Sequence, residues 1–317
     1  MGRMRSVSQD RLGGPEVLQV VDRDVPEPRP TEIRVRVAAA GVNPVDWKTR
    51  QGRGMAAVLG GPPFSVGWDV AGVVDALGMG VTRFAVGDRV LGMPWFPRQA
   101  AAYSDFVVGP ARQFVAVPDG VDTVTAAATP LPATTAWQLV HDVARVTQGC
   151  RVLVLGAGGG VGQITVQLAR LLGAEVFGTD AADRLPRLAE LGLEQGRDFR
   201  TTVLAEAFSD MDVVLDLIGG DLSLLALPTL REGGLIVSVP SGQGGELPDA
   251  ARAVGCRSLP IIVEPDRVAL EGVASLLGDG RLAVDVGATY RLEDVATAHA
   301  DGEAGRVKGR IVLTLDG

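Results

Sequence analysis

The chain has 317 residues, 46% of them hydrophobic, which is enough for about two domains with their own cores. Its formal net charge of −8 argues against nucleic acid or an anionic membrane as the main partner. The sequence contains neither the ~18-residue apolar run of a membrane-spanning helix nor an apolar signal core near its start, so we expect a cytoplasmic protein.

Residues 1–122 are predicted to form mostly β-structure. Ile33–Val37 alternates apolar and charged residues, which is typical of a half-exposed strand. Further short strands are expected at 17–21, 66–77, 84–91, 103–108 and 114–117. Many short strands at close spacing favour a barrel-like β domain.

The most informative stretch is Arg151–Thr179, which reads RVLVLGAGGGVGQITVQLARLLGAEVFGT. An apolar run at 152–155 predicts a buried parallel strand, and a glycine-rich turn follows it. Apolar residues then recur at helical spacing up to Gly173, and 174–179 predicts a second strand. Strand, glycine turn, helix and strand together indicate a dinucleotide-binding βαβ unit.

The turn is predicted to bind a pyrophosphate at the helix N-terminus. Gly159 would allow the phosphate to approach the backbone, and Gly162 would let the helix pack closely on the strand. The usual first glycine of the motif is replaced by Ala157, which Gly156 precedes. The alternative is a glycine-rich turn in some other α/β protein. The expected cofactor-binding residues of the turn are Ala157, Gly158, Gly159, Gly160, Val161 and Gly162.

Asp180 ends the second strand 18 residues after Gly162, close to the ~20 expected for the acid that binds the cofactor ribose. An aspartate there accepts the ribose hydroxyls of NAD and repels the 2′-phosphate of NADP. Arg184 and Arg187 follow and could attract that phosphate. Asp180 could instead cap the next helix. The residues alone therefore leave the choice between NAD and NADP open.

Later strands are expected to contribute the nicotinamide end of the site. A strand at 212–218 ends at Gly219, and ligands bind beyond the carboxyl ends of such strands. The strand at 233–241 would bring Ser238, Val239 and Ser241 to the same edge. A final strand is predicted at 259–264 and an amphipathic helix at 266–280.

The chain resembles the zinc-independent quinone oxidoreductase (zeta-crystallin-like) branch of the medium-chain dehydrogenase/reductase superfamily over nearly its whole length. The motifs that carry the resemblance are AGVNPVDWK at 40–48, GWDVAGVV at 67–74, VGDRV at 86–90, PLPATTAW at 130–137, the glycine turn, DVVLDLIGG at 212–220 and KGRIVL at 308–313. It implies an α/β protein with a GroES-like β-barrel catalytic domain at 1–122 and 268–317. It also implies a Rossmann domain, a doubly wound parallel sheet, at 123–267, with the active site in the cleft between the domains.

The resemblance further implies a homodimer in which the Rossmann edge strands of two copies pair. The alternative is an edge strand that is covered within its own chain.

No zinc site is expected. Zinc-dependent relatives carry a cysteine at the position of Asn43 and a histidine at that of Trp68, and a catalytic zinc needs about three protein ligands. The chain has two cysteines and two histidines, none near these positions. We interpret the histidines, His141 and His299, as structural or surface residues. The cysteines, Cys150 and Cys256, are expected to be buried thiols rather than a disulfide.

Without zinc, hydride must pass to an acceptor that delocalises charge itself, such as a quinone or an α,β-unsaturated carbonyl. The resemblance places Asn43 beside the nicotinamide, where its amide would donate to the developing oxyanion. Thr135 is a second candidate, and Lys48 and Tyr103 are candidate proton donors. Asn43 could instead serve a turn, and Tyr103 could be an ordinary strand residue.

The sequence therefore predicts a zinc-free reductase of a quinone or enone. NADP(H) is favoured because NADPH dominates in the family, and NAD(H) stays possible because of Asp180. One alternative is an enoyl reductase in a biosynthetic, polyketide-type pathway. Another is a cofactor-binding protein with little turnover.

Overall fold

The structure is a computed structural model that describes residues 2–239 and 245–315. The strands are β1 Arg3–Ser8, β2 Gln19–Asp24, β3 Glu32–Val42, β4 Asp69–Leu77, β5 Arg89–Gly92, β6 Phe106–Pro110, β7 Phe114–Ala116, β8 Arg151–Leu155, β9 Glu175–Asp180, β10 Gln195–Asp198, β11 Met211–Asp216, β12 Leu230–Ser238, β13 Arg257–Pro260, β14 Val286–Arg291 and β15 Arg310–Thr314. The helices are α1 Pro44–Arg50, α2 Ala56–Leu59, α3 Thr123–Ala127, α4 Pro130–Trp137, α5 Gly160–Leu171, α6 Leu185–Glu190, α7 Leu204–Ala207, α8 Asp221–Ala226, α9 Leu247–Ala253, α10 Arg267–Gly278 and α11 Val295–Glu303.

The chain divides into two compact units. The first comprises Met1–Thr134 and Glu264–Gly317, and the second comprises Thr135–Val263. The predicted division placed the boundary at 122/123, but α3 packs on β3 and β4 and so belongs to the first unit. At the other end the observed division falls at 263/264, a few residues before the predicted one.

The first unit is built on a seven-stranded, mostly antiparallel sheet. Its order is β14-β15-β3-β4-β5-β7, with β6 also paired to β3, and β1 and β2 form a separate hairpin. The predicted alternation along Ile33–Val37 is confirmed, since Ile33, Val35 and Val37 are buried while the arginines between them are not. These side chains pack with Phe64 in the main core of the unit.

The second unit is a six-stranded sheet in which every neighbouring pair is parallel. Its order is β10-β9-β8-β11-β12-β13, so the chain reverses direction across the sheet between β8 and β11. Ligands of such doubly wound sheets bind beyond the carboxyl ends of the strands at this reversal. Leu155 and Asp216 are the paired residues at those two ends, which locates the candidate site.

The edge strand of the second unit differs from its prediction. It runs over Arg257–Pro260 rather than 259–264. The described ladder with β12 runs to the pair of Pro260 with Ser238, and the Ile261 amide donates to the Ser238 carbonyl at 3.3 Å. Leu259 and Ile262 are partly exposed apolar side chains at this edge.

The amphipathic helix near residue 270 is confirmed. Helix α10 begins after Asp266, whose carboxylate accepts a hydrogen bond from the Val268 amide at 2.8 Å. Leu270, Val273 and Leu277 form its buried face. Among the described helices, none combines the length and apolar character needed to cross a membrane.

Candidate active site

The glycine turn joins β8 to α5 in the predicted way. The amides of Gly156 and Ala157 both donate to the Thr179 carbonyl, at 3.1 and 3.0 Å, which fixes the turn to the end of β9. Gly156 has φ 79°, and a Cβ there would lie 2.7 Å from the Ile218 side chain. A glycine is therefore needed immediately before Ala157, one position earlier than the usual motif places it.

Two later glycines of the turn differ in the space around them. A Cβ on Gly162 would lie 2.3 Å from the Gly156 carbonyl oxygen and 2.6 Å from that of Ala157. Among the described residues, a Cβ on Gly159 would have one neighbour within 4 Å, the Gly156 carbonyl oxygen at 3.4 Å. Gly159 is the N-cap residue of α5 and provides no side-chain cap for the first-turn amides. This arrangement fits an anionic group bound at the helix N-terminus.

Asp180 directs its carboxylate into the glycine turn. Its Oδ2 accepts from the Gly158 amide at 2.7 Å, and its Oδ1 accepts from the Ala181 amide at 2.8 Å. The alternative that Asp180 caps the next helix is wrong, since Ala181 and Arg184 hold the two N-cap positions that follow. The carboxylate is instead used to hold the turn.

Arg184 covers the same turn. Its Nη1 donates to the Gly158 carbonyl at 3.2 Å and lies 3.8 Å from Asp180 Oδ1. The guanidinium is about one-quarter exposed, whereas Asp180 is nearly buried. The positive charge therefore faces solvent beside the turn, and the negative charge lies beneath it.

The predicted nicotinamide-end residues gather at one aspartate that the sequence analysis did not single out. The Gly219 amide and the Ser238 hydroxyl both donate to the carboxylate of Asp216, and the Val239 amide donates to its backbone carbonyl. The available signal was an acid that ends the strand directly after three apolar residues. Ser241, also predicted for this site, lies outside the described residues.

Asn43 precedes α1 in the first unit, and its side-chain amide is held at both atoms. Nδ2 donates to Asp69 Oδ2 at 2.8 Å, and Oδ1 accepts from Arg310 Nη2 at 2.7 Å. These partners determine which end of the amide is the nitrogen. A primary amide carries two N–H groups, so Nδ2 can donate to a second acceptor as well.

Asp69 and Arg310 are buried and were also missed as site residues. Asp69 accepts from the Leu131 amide at 2.7 Å, and Arg310 donates to the Ala128 carbonyl at 2.9 Å. Burial raises the pKa of Asp69 to about 7, and the charge of Arg310 opposes that rise. Burial lowers the pKa of Arg310. Asp69 lies in the motif at 67–74 and Arg310 in the motif at 308–313, but no local pattern in the sequence indicates that they share a contact.

Tyr103 is fully buried and donates its hydroxyl to Asp46 Oδ2 at 2.7 Å. Burial raises the pKa of Tyr103 well above its usual value, so the phenol retains its proton. That proton is donated to Asp46 in the structure, and a role of Tyr103 as proton donor to the substrate stays a prediction. Lys48 is partly buried on α1, where burial lowers its pKa, and Thr135 is buried on α4 in the second unit.

The buried carboxyl of Asp46 predicts a pH-dependent stability. Burial raises its pKa to about 7, although the hydrogen bonds from the Tyr103 hydroxyl and from the backbone amide of Asn43 lower it. Its stabilising contribution is complete below the unfolded-state pKa near ~4 and is lost as the pH rises through 7. From pH 5 to pH 8, we expect the free energy of unfolding to fall about 2–3 kcal/mol further in the wild type than in Asp46→Asn.

Urea unfolding at pH 5, 6, 7 and 8 measures this difference, and Asp10→Asn at an exposed carboxyl is the matched control. Parallel pH profiles of the wild type and Asp46→Asn would contradict the assignment of the shifted group to Asp46.

Trp68 is fully buried. Its indole N–H donates to the Arg98 carbonyl at 2.6 Å, and its ring meets Phe96 edge to face. His299 is buried against Arg50 Nη1 at 3.1 Å, and His141 stacks on Trp137. Within residues 2–239 and 245–315, no three histidine, cysteine or acidic side chains are placed to bind a metal together.

Both cysteines of the chain are free thiols. Cys256 is buried and Cys150 is partly buried.

Two family models match the chain. One, described as the alcohol dehydrogenase GroES-like domain, matches residues 29–119, and the other, described as zinc-binding dehydrogenase, matches residues 191–313. The chain is 33% identical to the 2-haloacrylate reductase of a Burkholderia species, with 96% of each protein covered. It is 35% identical to part of erythronolide synthase EryA2 of Saccharopolyspora erythraea. That match covers 92% of this chain and 8% of the synthase.

The similar solved structures include two quinone oxidoreductases. The quinone oxidoreductase from Coxiella burnetii matches with a TM-score of 0.95 and 31% identity, covering 99% of this chain and 100% of the other. The Escherichia coli quinone oxidoreductase, solved in complex with NADPH, matches with a TM-score of 0.88 and 28% identity, covering 98% of this chain and 99% of the other.

Proposed function

Because the chain belongs to the quinone oxidoreductase branch of the medium-chain dehydrogenase/reductase superfamily, we propose that it is an NADPH-dependent reductase of quinones or α,β-unsaturated carbonyl compounds. The observation that carries the proposal is the held amide of Asn43. Asp69 accepts from its nitrogen and Arg310 donates to its oxygen, so the amide is oriented before substrate arrives. A preoriented donor stabilises an oxyanion without reorganisation during the reaction.

The second unit would hold the cofactor with residues whose geometry suits it. The first-turn amides of α5 at Gly160–Gly162 would receive the pyrophosphate, because Gly159 leaves the approach free of side chains. Gly219, Ser238 and Val239 would border the nicotinamide end. When bound, reduced nicotinamide supplies the hydride for the acceptor carbon, and the Asn43 amide would then donate to the acceptor oxygen.

The reaction is proposed to need no zinc. Asn43 and Trp68 occupy the positions at which zinc-dependent relatives carry a cysteine and a histidine, and neither an amide nor an indole is a usual zinc ligand. The Trp68 N–H is used by the Arg98 carbonyl. Lys48 and Tyr103 stay as candidates for delivering the proton that completes the reduction, and Thr135 stays as a second candidate donor to the oxyanion.

NADPH is proposed over NADH because of how Asp180 and Arg184 are arranged. The carboxylate of Asp180 is used within the turn by the Gly158 and Ala181 amides, so it is not presented to the ribose. The Arg184 guanidinium lies over the turn with part of its surface exposed, where it can pair with a 2′-phosphate. The solved complex of the Escherichia coli relative with NADPH supports this choice.

Arg184→Met is therefore expected to lower the preference for NADPH over NADH about tenfold, chiefly by raising the Kd for NADPH. Losing one charge-assisted contact to a phosphate has about this effect. The matched control is Arg187→Met in α6, the helix that follows Arg184, because Arg187 pairs with Glu190 at 2.8 Å. Fluorescence titration with both cofactors measures the ratio. If Arg184→Met and Arg187→Met have the same ratio of Kd for NADH to Kd for NADPH, Arg184 does not recognise the 2′-phosphate.

The acceptor class is proposed from chemistry shared by the relatives. A quinone oxidoreductase and a 2-haloacrylate reductase both act on conjugated acceptors, according to their names. An enoyl reductase acting in a polyketide-type pathway is the second candidate, and the match to part of erythronolide synthase favours it. We further propose that the protein is cytoplasmic and forms a homodimer through the edge strand β13.

Titration of tryptophan fluorescence with NADPH, followed by turnover assays on 1,4-quinones, enones and 2-haloacrylates, tests this function. The proposal requires NADPH binding and oxidation by at least one acceptor class. Binding without turnover on the whole panel would favour the remaining alternative, a cofactor-binding protein with little catalysis.

A further inference from the structure

We propose that Asp216 is a positioning residue that shapes the nicotinamide end of the cofactor site. The inference rests on the proposed function, because it assigns a role within the same site. Asp216 is fully buried at the carboxyl end of β11, next to the reversal in strand order. Its side chain accepts hydrogen bonds from three separate segments of the second unit.

The first segment is the turn after β11. Oδ1 of Asp216 accepts from the Ile218 amide at 2.9 Å and from the Gly219 amide at 2.8 Å. Gly219 and Gly220 have φ values of 82° and 69°, which glycine adopts about as readily as negative values. The carboxylate therefore holds the backbone of this turn in a conformation that the glycines permit but do not impose.

The second and third segments meet at the other carboxylate oxygen. Oδ2 accepts from the Ser223 hydroxyl on α8 and from the Ser238 hydroxyl at the end of β12, the latter at 3.3 Å. The backbone carbonyl of Asp216 also accepts from the Val239 amide at 3.0 Å. One residue thus joins the turn after β11, the start of α8 and the end of β12.

Four donors match the capacity of an ionised carboxylate, which only accepts hydrogen bonds. An asparagine has nearly the same shape but presents one oxygen and one amide nitrogen. Its oxygen can accept from the two turn amides. Its amide nitrogen can only donate to the two serine hydroxyls, so the serine protons lose the carboxylate oxygen that accepted them. Alanine loses all four contacts. Asparagine therefore keeps the turn contacts and disturbs the two serine contacts, whereas alanine loses both sets, so the three side chains form a graded series.

The adenosine end of the site is built from other residues, those of the glycine turn with Asp180 and Arg184. The inference therefore predicts a selective effect. Asp216→Ala should raise the Kd for NADPH at least tenfold, and Asp216→Asn should raise it about threefold to tenfold. Binding of 2′,5′-ADP, which lacks the nicotinamide half, should change less than twofold in both variants.

Isothermal titration of the purified wild type and both variants with NADPH and with 2′,5′-ADP tests this selectivity, and circular dichroism checks the fold. If the binding of both ligands weakens equally, the inference is overturned and general structural damage is indicated. Unchanged NADPH binding in the variants would also overturn the inference. If Asp216→Ala does not fold, Asp216→Asn decides by the same two criteria. Failure of the wild type to bind NADPH would instead overturn the proposed function beneath it.

Discussion

Gly162→Ala is expected to destabilise the protein by about 3 kcal/mol and to abolish measurable NADPH binding at micromolar protein concentrations. The added methyl would lie 2.3 Å from one backbone carbonyl oxygen, that of Gly156, and 2.6 Å from another, that of Ala157. Neither oxygen can move like the end of a flexible side chain, so α5 must shift away from β8. The pyrophosphate site depends on both elements and would be lost with that shift.

Gly159→Ala is the matched control within the same turn. Within the part of the chain that the structure describes, the nearest atom to its methyl would be the Gly156 carbonyl oxygen at 3.4 Å, an ordinary van der Waals contact. We expect its stability to stay within about 1 kcal/mol of the wild type. NADPH should nevertheless bind at least tenfold more weakly, because the methyl would stand at the N-cap of α5, next to the first-turn amides that are proposed to bind the pyrophosphate. Urea unfolding and cofactor titration measure both effects, and wild-type stability of Gly162→Ala would contradict the packing argument.

Asn43→Ala is expected to lower kcat/KM for the acceptor about 10²–10³-fold while leaving the Kd for NADPH unchanged. The substitution removes the proposed oxyanion donor but touches no residue of the glycine turn. It also takes a partner from Asp69 and Arg310, so a loss of about 1–3 kcal/mol in stability should accompany it. Assays must therefore be run well below the unfolding temperature of the variant.

The control for Asn43→Ala is Ser65→Ala. It removes another buried polar group of the first unit, a hydroxyl without a hydrogen-bond partner among the described residues. We expect nearly wild-type kinetics from Ser65→Ala. If Asn43→Ala also retains its full kcat/KM on quinones and enones, Asn43 is not the oxyanion donor.

The fold and the glycine turn were predictable because their signals are local. Alternation along Ile33–Val37 indicates a half-buried strand, and an apolar strand followed by glycines and a periodic helix indicates the βαβ unit. The edge strand was shifted because an apolar run at 259–264 carries no mark of where pairing stops.

The site residues that were missed depend on contacts between distant parts of the chain. Arg310 reaches Asn43 across 267 positions, and no short motif announces such a pair. The position of Asp180 in the sequence indicated the cofactor site, but the sequence does not show which way the carboxylate points. The Gly158 amide competes with the ribose for that carboxylate. The sequence likewise does not show that the Tyr103 hydroxyl donates a hydrogen bond to Asp46.

The central claim is tested most directly by kcat/KM for NADPH and NADH with one 1,4-quinone and one enone under identical conditions. We predict turnover with at least one of the two acceptors and a higher kcat/KM with NADPH, because Asp180 is used within the turn and Arg184 faces outward. At least tenfold higher kcat/KM with NADH, or no oxidation of either cofactor by either acceptor, would contradict it.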